Sequence, residues 1–293
     1  MSGHRFFNSM RAGLAPLMRP VLERVGPVRR LGLWALARRH PRQVTLDGQV
    51  FRVDPRDFGV TFELHATGTY EPFTRGACLE SLEPGMVFVD IGAHVGLYTL
   101  PAARAVGPTG CVIAFEPHPG NRALLEENVL GNALENVTVV AAAVSDAPGE
   151  MPLQVSPFNT GDHRLYRGGH GGGAAVPTAV VSLDAWCAAE GIDRVDMVKI
   201  DVQGAEARVI AGMEKTMQRS PGMVIILEYT PWMLREADED PMTLLTDLTS
   251  QGFSLSILDE ARGLLTSASA QEIHEACPGR SYVNVLARHE GRG

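Results

Sequence analysis

The 293-residue chain lacks several features that would identify its class at once. No run approaches 18 consecutive apolar residues, which argues against a transmembrane helix. Lysine is almost absent, since Lys199 and Lys215 are the only two and arginine supplies the remaining basic charge. The four cysteines lie far apart without a Cys-x-x-Cys pair, so neither a zinc site nor a disulfide scaffold is indicated. We therefore expect a globular protein of a reducing compartment, the cytoplasm.

Charge is divided unevenly along the chain. Residues 1–45 contain nine arginines and one acid, a charge of +8, so the total of −8 leaves −16 on residues 46–293. An acidic body is a poor fit to a nucleic-acid partner, which selects a basic surface. The basic segment 1–40 has apolar residues at helical spacing. It is expected either to pack against the core or a second subunit, or to lie on an anionic membrane surface as a peripheral contact.

Residues 1–84 are predicted to form an N-terminal helical and hairpin extension, ahead of a second domain at 85–293. Residues 43–53 alternate apolar and polar side chains around Asp47-Gly48, which predicts a β-hairpin. Helical stretches follow at about 56–68 and 72–82.

From Met86 onwards, short apolar runs alternate with helical periods. Runs this short and continuously apolar are typical of parallel strands buried on both faces. Repeated strand–helix units predict an α/β, Rossmann-like, doubly wound sheet of seven strands. The last two strands have no obvious crossover helix between them, so one is expected to run antiparallel. The predicted strands are 86–91, 111–116, 137–144, 196–201, 224–229, 253–258 and 282–287, and the predicted helices are 95–106, 119–131, 182–190, 204–218 and 241–251.

The first strand of this domain ends in an acid followed by a glycine turn, Val89-Asp90-Ile-Gly92-Ala-His-Val-Gly96. Ligands of open α/β sheets bind beyond the carboxyl ends of the strands, and Gly92 permits a sharp turn there and a close approach of a ligand. The dinucleotide fingerprint GxGxxG fails, because His94 and Leu97 stand at its second and third glycines. The anion Asp90 favours instead a ligand with ammonium and sulfonium groups, such as S-adenosylmethionine.

The next two strand ends also carry polar side chains. Glu116 ends the second strand, where a carboxylate can accept both hydroxyls of a ribose. Ser145-Asp146 ends the third, where an adenine would lie over backbone and small or polar groups. The long loop at 156–176 is expected to be partly functional, with 159–166 lining a site.

The fourth and fifth strands place carboxylates on one rim. Asp201 is predicted to bind the substrate that accepts a group from the cofactor, to act as a general base or to ligate a cation. Glu228 ends the adjacent strand, and burial would raise the pKa of such carboxylates. Lys199 is expected on the other side of its strand if residues alternate. Glu206, in the first turn of the next helix, fits a structural and a catalytic role equally well.

Together these segments resemble the FkbM-type S-adenosylmethionine-dependent methyltransferases. The resemblance implies a class I methyltransferase fold, S-adenosylmethionine as cofactor, and O-methylation of a sugar, glycolipid, polysaccharide or polyketide. The family usually has Asn where His94 stands. The matching segments are VDIGAHVGLYTL (89–100), VIAFEPHPGN (112–121), NVTVVAAAVSD (136–146), VKIDVQGAE (198–206) and ILEY (226–229), together with Tyr70-Glu71-Pro72 and residues 159–164.

The resemblance also assigns cofactor residues and Asp201 by position, whereas the two histidines are candidates on their chemistry alone. Candidate proton acceptors for a hydroxyl are Asp201, His94 and His163, in that order. Glu228 lies beside Asp201, and the pair is expected to act without a metal ion. Two alternatives remain. A nucleotide-dependent oxidoreductase is disfavoured by the missing GxGxxG, and a non-catalytic scaffold would bind a partner through the basic segment. The cofactor-binding residues are expected to be Glu71, Asp90, Gly92, Gly96, Glu116, Pro117, Ser145 and Asp146.

Overall fold

The computed structural model describes residues 41–57, 59–156, 159–165 and 175–290. The expectations for the basic segment 1–40 lie outside these residues. Within them, the strands form a two-stranded hairpin, an eight-stranded sheet and a four-stranded sheet. The strands are β1 (Gln43–Leu46), β2 (Gln49–Arg52), β3 (Val87–Ile91), β4 (Cys111–Phe115), β5 (Val137–Val140), β6 (Ala143–Val144), β7 (Gly149–Gln154), β8 (Arg164–Leu165), β9 (Ala175–Val181), β10 (Met197–Ile200), β11 (Val224–Tyr229), β12 (Phe253–Asp259), β13 (Leu264–Ser267) and β14 (Val283–His289).

The eight-stranded sheet has the order β13-β12-β14-β11-β10-β3-β4-β5. Strands β11, β10, β3, β4 and β5 are parallel, whereas β14 runs antiparallel to both of its neighbours. All seven predicted strands lie in this sheet, so the doubly wound prediction is confirmed, including one antiparallel strand near the end of the chain. The strand number needs correction to eight, because β13 pairs with β12 at the sheet edge. All four residues of β13 are exposed, so no buried apolar run marks it in the sequence.

The four-stranded sheet, in the order β6-β9-β7-β8, is not apparent in the sequence. Strands β7 and β9 pair antiparallel with Pro152 opposite Pro177, and proline within a run argues against a strand. The predicted strand at 137–144 is wrong in its extent. The chain leaves the main sheet after Val140, and Ala143 begins a strand of the small sheet.

Helices pack on both faces of the main sheet. The predicted helix at 204–218 divides at Gly212, where a side chain would overlap the carbonyl oxygen of Ser145. No helix in the described part of the chain has both the length and the hydropathy needed to cross a bilayer. The helices are α1 (Val60–Thr67), α2 (Pro72–Glu80), α3 (Thr99–Val106), α4 (Pro119–Gly131), α5 (Leu183–Glu190), α6 (Glu206–Ala211), α7 (Glu214–Arg219), α8 (Pro231–Glu236), α9 (Pro241–Ser250) and α10 (Ala270–Glu275).

Alternation along the strands divides their side chains between two cores. Val89 and Val198 pack with residues of α5, α6 and α9 on one face. Phe88 and Met197 pack with residues of α2 and α3 on the opposite face. Since both faces are covered, the parallel strands can be apolar throughout. Asp90 shares the face of Phe88, and this face leads to the candidate site.

The N-terminal hairpin packs against the turn that follows β3. The Asn128 amide in α4 donates to the carbonyl oxygens of Arg52 (3.0 Å) and Val95 (2.8 Å), and its oxygen accepts from the Arg52 backbone nitrogen (2.6 Å). Leu46 and Phe51 of the hairpin are buried in the same apolar cluster as Val95. The hairpin therefore supports the loop that begins at Asp90.

Candidate active site

A wide cleft of about 1830 Å³ lies at the carboxyl ends of the parallel strands. Most of the predicted site residues line it, and they come from strand ends, loops and the start of α2. These lining residues are Glu71, Asp90, Gly92, His94, Glu116, Pro117, Asp201 and Glu228.

The loop after β3 is shaped by close contact between two backbone segments. Gly92 has a φ of 84°, and a side chain there would overlap the carbonyl oxygen of Asp201. Position 92 therefore requires glycine because the backbone at the end of β10 packs against it, whether or not a ligand also comes close. His94 also has a left-handed backbone (φ 53°), a conformation that Asn and His tolerate better than most residues.

Gly96, Ser145 and Asp146 are not among the lining residues. A side chain at Gly96 would overlap Leu100, so helix packing accounts for this glycine. Ser145 is buried, and its hydroxyl donates to the Asp146 carboxylate (2.8 Å). The residues near the third strand that do reach the cleft are 142–144.

Glu116 links the loop after β3 to the turn after β4. Its two carboxylate oxygens accept from the backbone nitrogens of His94 and His118, each at 2.8 Å. The side chain is buried, and this burial raises the pKa of Glu116 to about 8, against the opposing effect of the two amide donors. When the carboxylate is ionised, each oxygen keeps a second lone pair that could accept a ligand hydroxyl.

The expectation that Lys199 faces away from the site is wrong. Residues two apart on a strand share a face, and the Lys199 ammonium lies 2.9 Å from a carboxylate oxygen of Asp201. It also lies 4.7 Å from the centre of the Tyr98 ring, whose hydroxyl donates to Glu71 (2.7 Å). Lys199 is opposite Asp90 in the β10–β3 pairing. The buried Lys199 ammonium thus interacts electrostatically with three carboxylates, those of Asp201, Asp90 and Glu71.

Ionisation at this cluster follows burial and the position of Lys199. Burial would raise the pKa of Asp201, but the Lys199 ammonium and the Gln203 amide outweigh it and lower that pKa. Burial raises the pKa values of Glu71 and Asp90 despite the opposing charge of Lys199. The rise expected for the carboxylates of the rim is therefore wrong for Asp201, which stays ionised.

Asp201 and Glu228 lie on the same rim, as expected, with an amide between them. The Gln203 side chain donates to Asp201 (2.6 Å) and to Glu228 (3.3 Å), and the Thr230 hydroxyl also donates to Glu228 (2.9 Å). Burial, then the charge of Asp201, raises the pKa of Glu228 well above its usual range. Over residues 41–57, 59–156, 159–165 and 175–290, no three His, Cys, Asp or Glu side chains group as metal ligands.

Thr160 joins three separate segments at the cleft. Its hydroxyl lies 2.7 Å from the Nε2 atom of His94, its backbone nitrogen donates to Asp57 (2.9 Å), and its carbonyl accepts from Asn121 (2.9 Å). The loop at 159–165 therefore lines the site, as expected. The sequence does not identify Asp57 or Thr160 as site residues, because no local pattern indicates which distant segment each one contacts.

His163 is part of the site and not a plain surface residue. Its ring packs on His118 with the centroids 4.2 Å apart, and its Nδ1 accepts from the Ser156 backbone nitrogen (3.1 Å). Burial, then the neighbouring His118, lowers the pKa of His163 to about 3, so the ring is neutral at physiological pH.

Two observations fit a cationic cofactor such as S-adenosylmethionine. Three carboxylates, the buried Asp90 and the half-buried Glu71 and Asp201, outnumber the one buried ammonium among them. The Nδ1 atom of His94 and the Nε2 atom of His163 are buried without a hydrogen-bond partner in the described structure, and both rings line the cleft. Buried polar atoms of this kind call for a partner supplied by a ligand.

Comparison with known proteins gives a consistent family. The family model described as Methyltransferase FkbM domain matches residues 90–255, which is more than half of the chain. Methyltransferase sdnD from Sordaria araneosa is 25% identical and aligns with 73% of this chain and 92% of its own. The 2-O-methyltransferase NoeI from Sinorhizobium fredii is 27% identical, with coverages of 57% and 72%. The 31-O-demethyl-FK506 methyltransferase FkbM from Streptomyces tacrolimicus is 33% identical, with coverages of 45% and 61%.

Proposed function

The chain belongs to the FkbM methyltransferase domain family and is an S-adenosylmethionine-dependent methyltransferase, and from this premise we propose that it methylates a hydroxyl of a sugar, glycolipid or secondary metabolite. The observation that carries this proposal is the excess of carboxylates over the single ammonium at the cleft. Asp90 and Asp201 lie within the matched segment 90–255, and Glu71 lies before it. Such a site favours a positively charged methyl donor.

We propose that Asp90 and Glu71 stabilise the cationic part of the cofactor. Glu116 would accept ribose hydroxyls with the lone pairs that its two backbone donors leave open. The backbone at Gly92 and Pro117 would form a wall against the nucleoside. Gly96, Ser145 and Asp146 would act indirectly, by holding the helix packing and the 142–144 segment in place.

When bound, S-adenosylmethionine supplies the methyl group, and its sulfur keeps the electron pair of the broken carbon–sulfur bond. We propose that the acceptor hydroxyl binds at Asp201, whose ionised carboxylate takes the hydroxyl proton as the oxygen bonds to the methyl carbon. Lys199 would hold that carboxylate in place. His94 is the second candidate proton acceptor, and Glu228 would stay protonated and hold Gln203.

Oxygen as the acceptor atom is supported by two relatives, named as a 2-O-methyltransferase and as a 31-O-demethyl-FK506 methyltransferase. A third, 27% identical over 50% of this chain, is named as a hexuronic acid methyltransferase. We propose a small-molecule or glycan acceptor for this chain. A nucleic-acid acceptor is disfavoured by the net charge of −16 on residues 46–293.

Calorimetry and an activity assay test the proposal. The full chain should bind S-adenosylmethionine and not NAD, and labelled methyl groups should appear in a fractionated pool of glycolipids and polar metabolites. Labelled product that survives mild alkali would indicate an ether and not an ester. Binding of NAD in place of S-adenosylmethionine would contradict the proposal.

A cytoplasmic location and a peripheral membrane contact through residues 1–40 remain part of the proposal. The cysteine spacing supports the reducing compartment, and the basic charge of that segment supports the membrane contact. Deletion of residues 1–40 should leave S-adenosylmethionine binding intact but abolish co-sedimentation with anionic liposomes, which should also fall with salt. Unchanged co-sedimentation would remove the membrane role.

A further inference from the structure

The cleft extends well beyond the proposed cofactor residues. Its volume of about 1830 Å³ is larger than an ordinary ligand pocket. One part of it is formed by β8, the start of α8, the β12–β13 turn and the segment before β14. We call the three arginines and one tryptophan of this part the outer cleft; its members are Arg164, Trp232, Arg262 and Arg280.

Trp232 anchors the outer cleft, four residues after Glu228 in the chain. The guanidinium carbon of Arg280 lies 4.8 Å from the centre of the indole ring, and that of Arg164 lies 5.1 Å from it. Arginine over an indole face is held by cation–π attraction. The indole therefore reduces the conformational freedom of the exposed Arg280 side chain before any ligand arrives.

The three arginines differ in how their charge is balanced. Arg164 pairs with Asp162 (2.7 Å) and Glu236 (3.3 Å). Arg262 has only a long contact with Asp259 (3.6 Å), and its side chain is 78% exposed. Among the described residues, no carboxylate lies within 4.0 Å of the Arg280 guanidinium.

Two carboxylates at the β12–β13 turn, which also lines the cleft, have other partners. Glu260 accepts from the backbone nitrogens of Phe73 and Thr74, each at 2.9 Å, at the start of α2. Asp259 accepts from the backbone nitrogen of Arg262 (3.0 Å). Both acids are thus held by other donors, and none of the described carboxylates pairs with Arg280, so its guanidinium at the cleft wall is available to an anionic ligand.

We propose that Arg280, seated on Trp232, binds an oxyanion of the acceptor, so that the methylated molecule carries a carboxylate, phosphate or sulfate besides its reacting hydroxyl. This inference rests on the proposed methyltransferase function and narrows its substrate class. A guanidinium presents parallel donors that match a planar or tetrahedral oxyanion. The separation of charge within the cleft agrees with this proposal. The carboxylates would surround the cationic methyl donor, and the Arg280 guanidinium would face the far end of the acceptor.

Binding of matched sugars to the full chain tests this proposal without knowledge of the natural acceptor. The protein is first saturated with S-adenosylhomocysteine, and methyl glucoside, glucuronate and glucose 6-phosphate are then titrated separately by calorimetry. We expect at least one anionic sugar to bind roughly tenfold or more tightly than methyl glucoside, which is the effect of one charge-assisted contact. Comparison of glucuronate with glucose 6-phosphate distinguishes a carboxylate from a phosphate.

Two variants assign the effect to the outer cleft. Arg280→Ala should remove the preference for the anionic sugar, whereas Arg104→Ala, an exposed arginine of α3 outside the cleft lining, should retain it. Equal binding of neutral and charged sugars, no binding by either anionic sugar, or a preference that survives Arg280→Ala would each overturn the proposal. Binding of S-adenosylhomocysteine is measured before any sugar is added. Its absence would mean that the proposed methyltransferase function has failed, whereas failure of the outer-cleft proposal alone would leave that binding intact.

Discussion

The loops after β3 and β10 are built alike, yet only one of them offers its glutamate to the cleft. Each begins at a strand-end aspartate, contains a left-handed residue and is closed by a buried glutamate that accepts two backbone amides. Glu116 accepts from His94 and His118, and Glu206 accepts from Val202 and Gly204. Glu116 comes from the neighbouring strand and lines the cleft, whereas Glu206 belongs to the following helix and does not.

The two glutamates show that a shifted pKa marks burial and does not by itself mark function. Burial raises the pKa of Glu116 to about 8 and that of Glu206 to about 7, against similar amide donors. Only position relative to the cleft separates them. We therefore propose that Glu206 has a structural role and not a catalytic one, whereas Glu116 both closes its loop and contacts the ligand.

The largest expected effect concerns the ion pair at the start of the second loop. Lys199→Met leaves Asp201, Asp90 and Glu71 without their buried ammonium, and loss of one partner in a buried pair costs about 3–5 kcal/mol. Urea unfolding should measure this loss. Lys215→Met, at the only other lysine and on the surface, is the control and should change stability little. Equal stability of the two variants would contradict the assigned network.

Asp201→Asn should affect turnover next most strongly. The variant keeps the shape of the side chain and removes its charge, so we expect a loss of roughly 10²-fold or more, typical of a lost general base, with little change in cofactor affinity. Wild-type activity should survive EDTA, because a metal-free site is proposed. Activity abolished by EDTA and restored by Mg²⁺ would favour a metal site instead, and wild-type turnover in Asp201→Asn would remove this residue from the mechanism.

Replacement of each loop glutamate tests the comparison directly. Glu116→Gln and Glu206→Gln both replace an acceptor with an amide nitrogen that faces a backbone donor, so both should destabilise the fold by about 1–3 kcal/mol. Only Glu116→Gln should also weaken S-adenosylmethionine binding, by roughly 1.5–3 kcal/mol. Calorimetry below the melting range of both variants separates the two effects. Equal cofactor affinity in the two variants would show that Glu116, like Glu206, merely closes its loop.

Cofactor binding should strengthen as the pH rises. Burial raises the pKa values of Glu71 and Asp90, and a bound cation favours their ionised forms, so at a pH below those raised values cofactor binding should displace protons from them. Release of each proton makes the dissociation constant fall by up to about tenfold per pH unit below the raised pKa. S-adenosylhomocysteine has the same amino group but no sulfonium, so its dependence should be weaker. Parallel pH profiles for the two ligands would contradict the carboxylate–sulfonium interaction.

The positions of the five parallel strands could be predicted because buried parallel strands are short apolar runs. The strand-end acids could be found for a related reason, since the carboxyl ends of parallel strands converge at one edge. The signal for Lys199 was also present, because residues 199 and 201 must share a face of a regular strand. The second sheet was hidden by Pro152 and Pro177, which oppose each other across it.

Contacts between distant segments were beyond local patterns. Thr160 meets Asp57 and Asn121 through backbone atoms, which every residue type possesses, so no side-chain signal marks the site. Trp232 and Arg280 come together only because α8 and the segment before β14 meet at the cleft. Tertiary packing, and not propensity, decides these pairs.

The smallest predicted effect concerns Thr160, which we propose positions His94 within the first loop. Thr160→Val removes the hydroxyl beside His94 Nε2 but keeps the backbone bonds to Asp57 and Asn121, so the fold should be retained. Loss of one hydrogen bond, about 1 kcal/mol, corresponds to about a fivefold fall in kcat with an unchanged KM for the cofactor. Burial lowers the pKa of His94, so the freed ring should also shift the acidic limb of the pH–rate profile, a change that a purely structural role would not cause. Thr160→Ser restores the hydroxyl and should restore both kcat and the pH profile. A Val variant with wild-type kinetics would show that the orientation of His94 is set by its left-handed backbone and the amide bond to Glu116 alone.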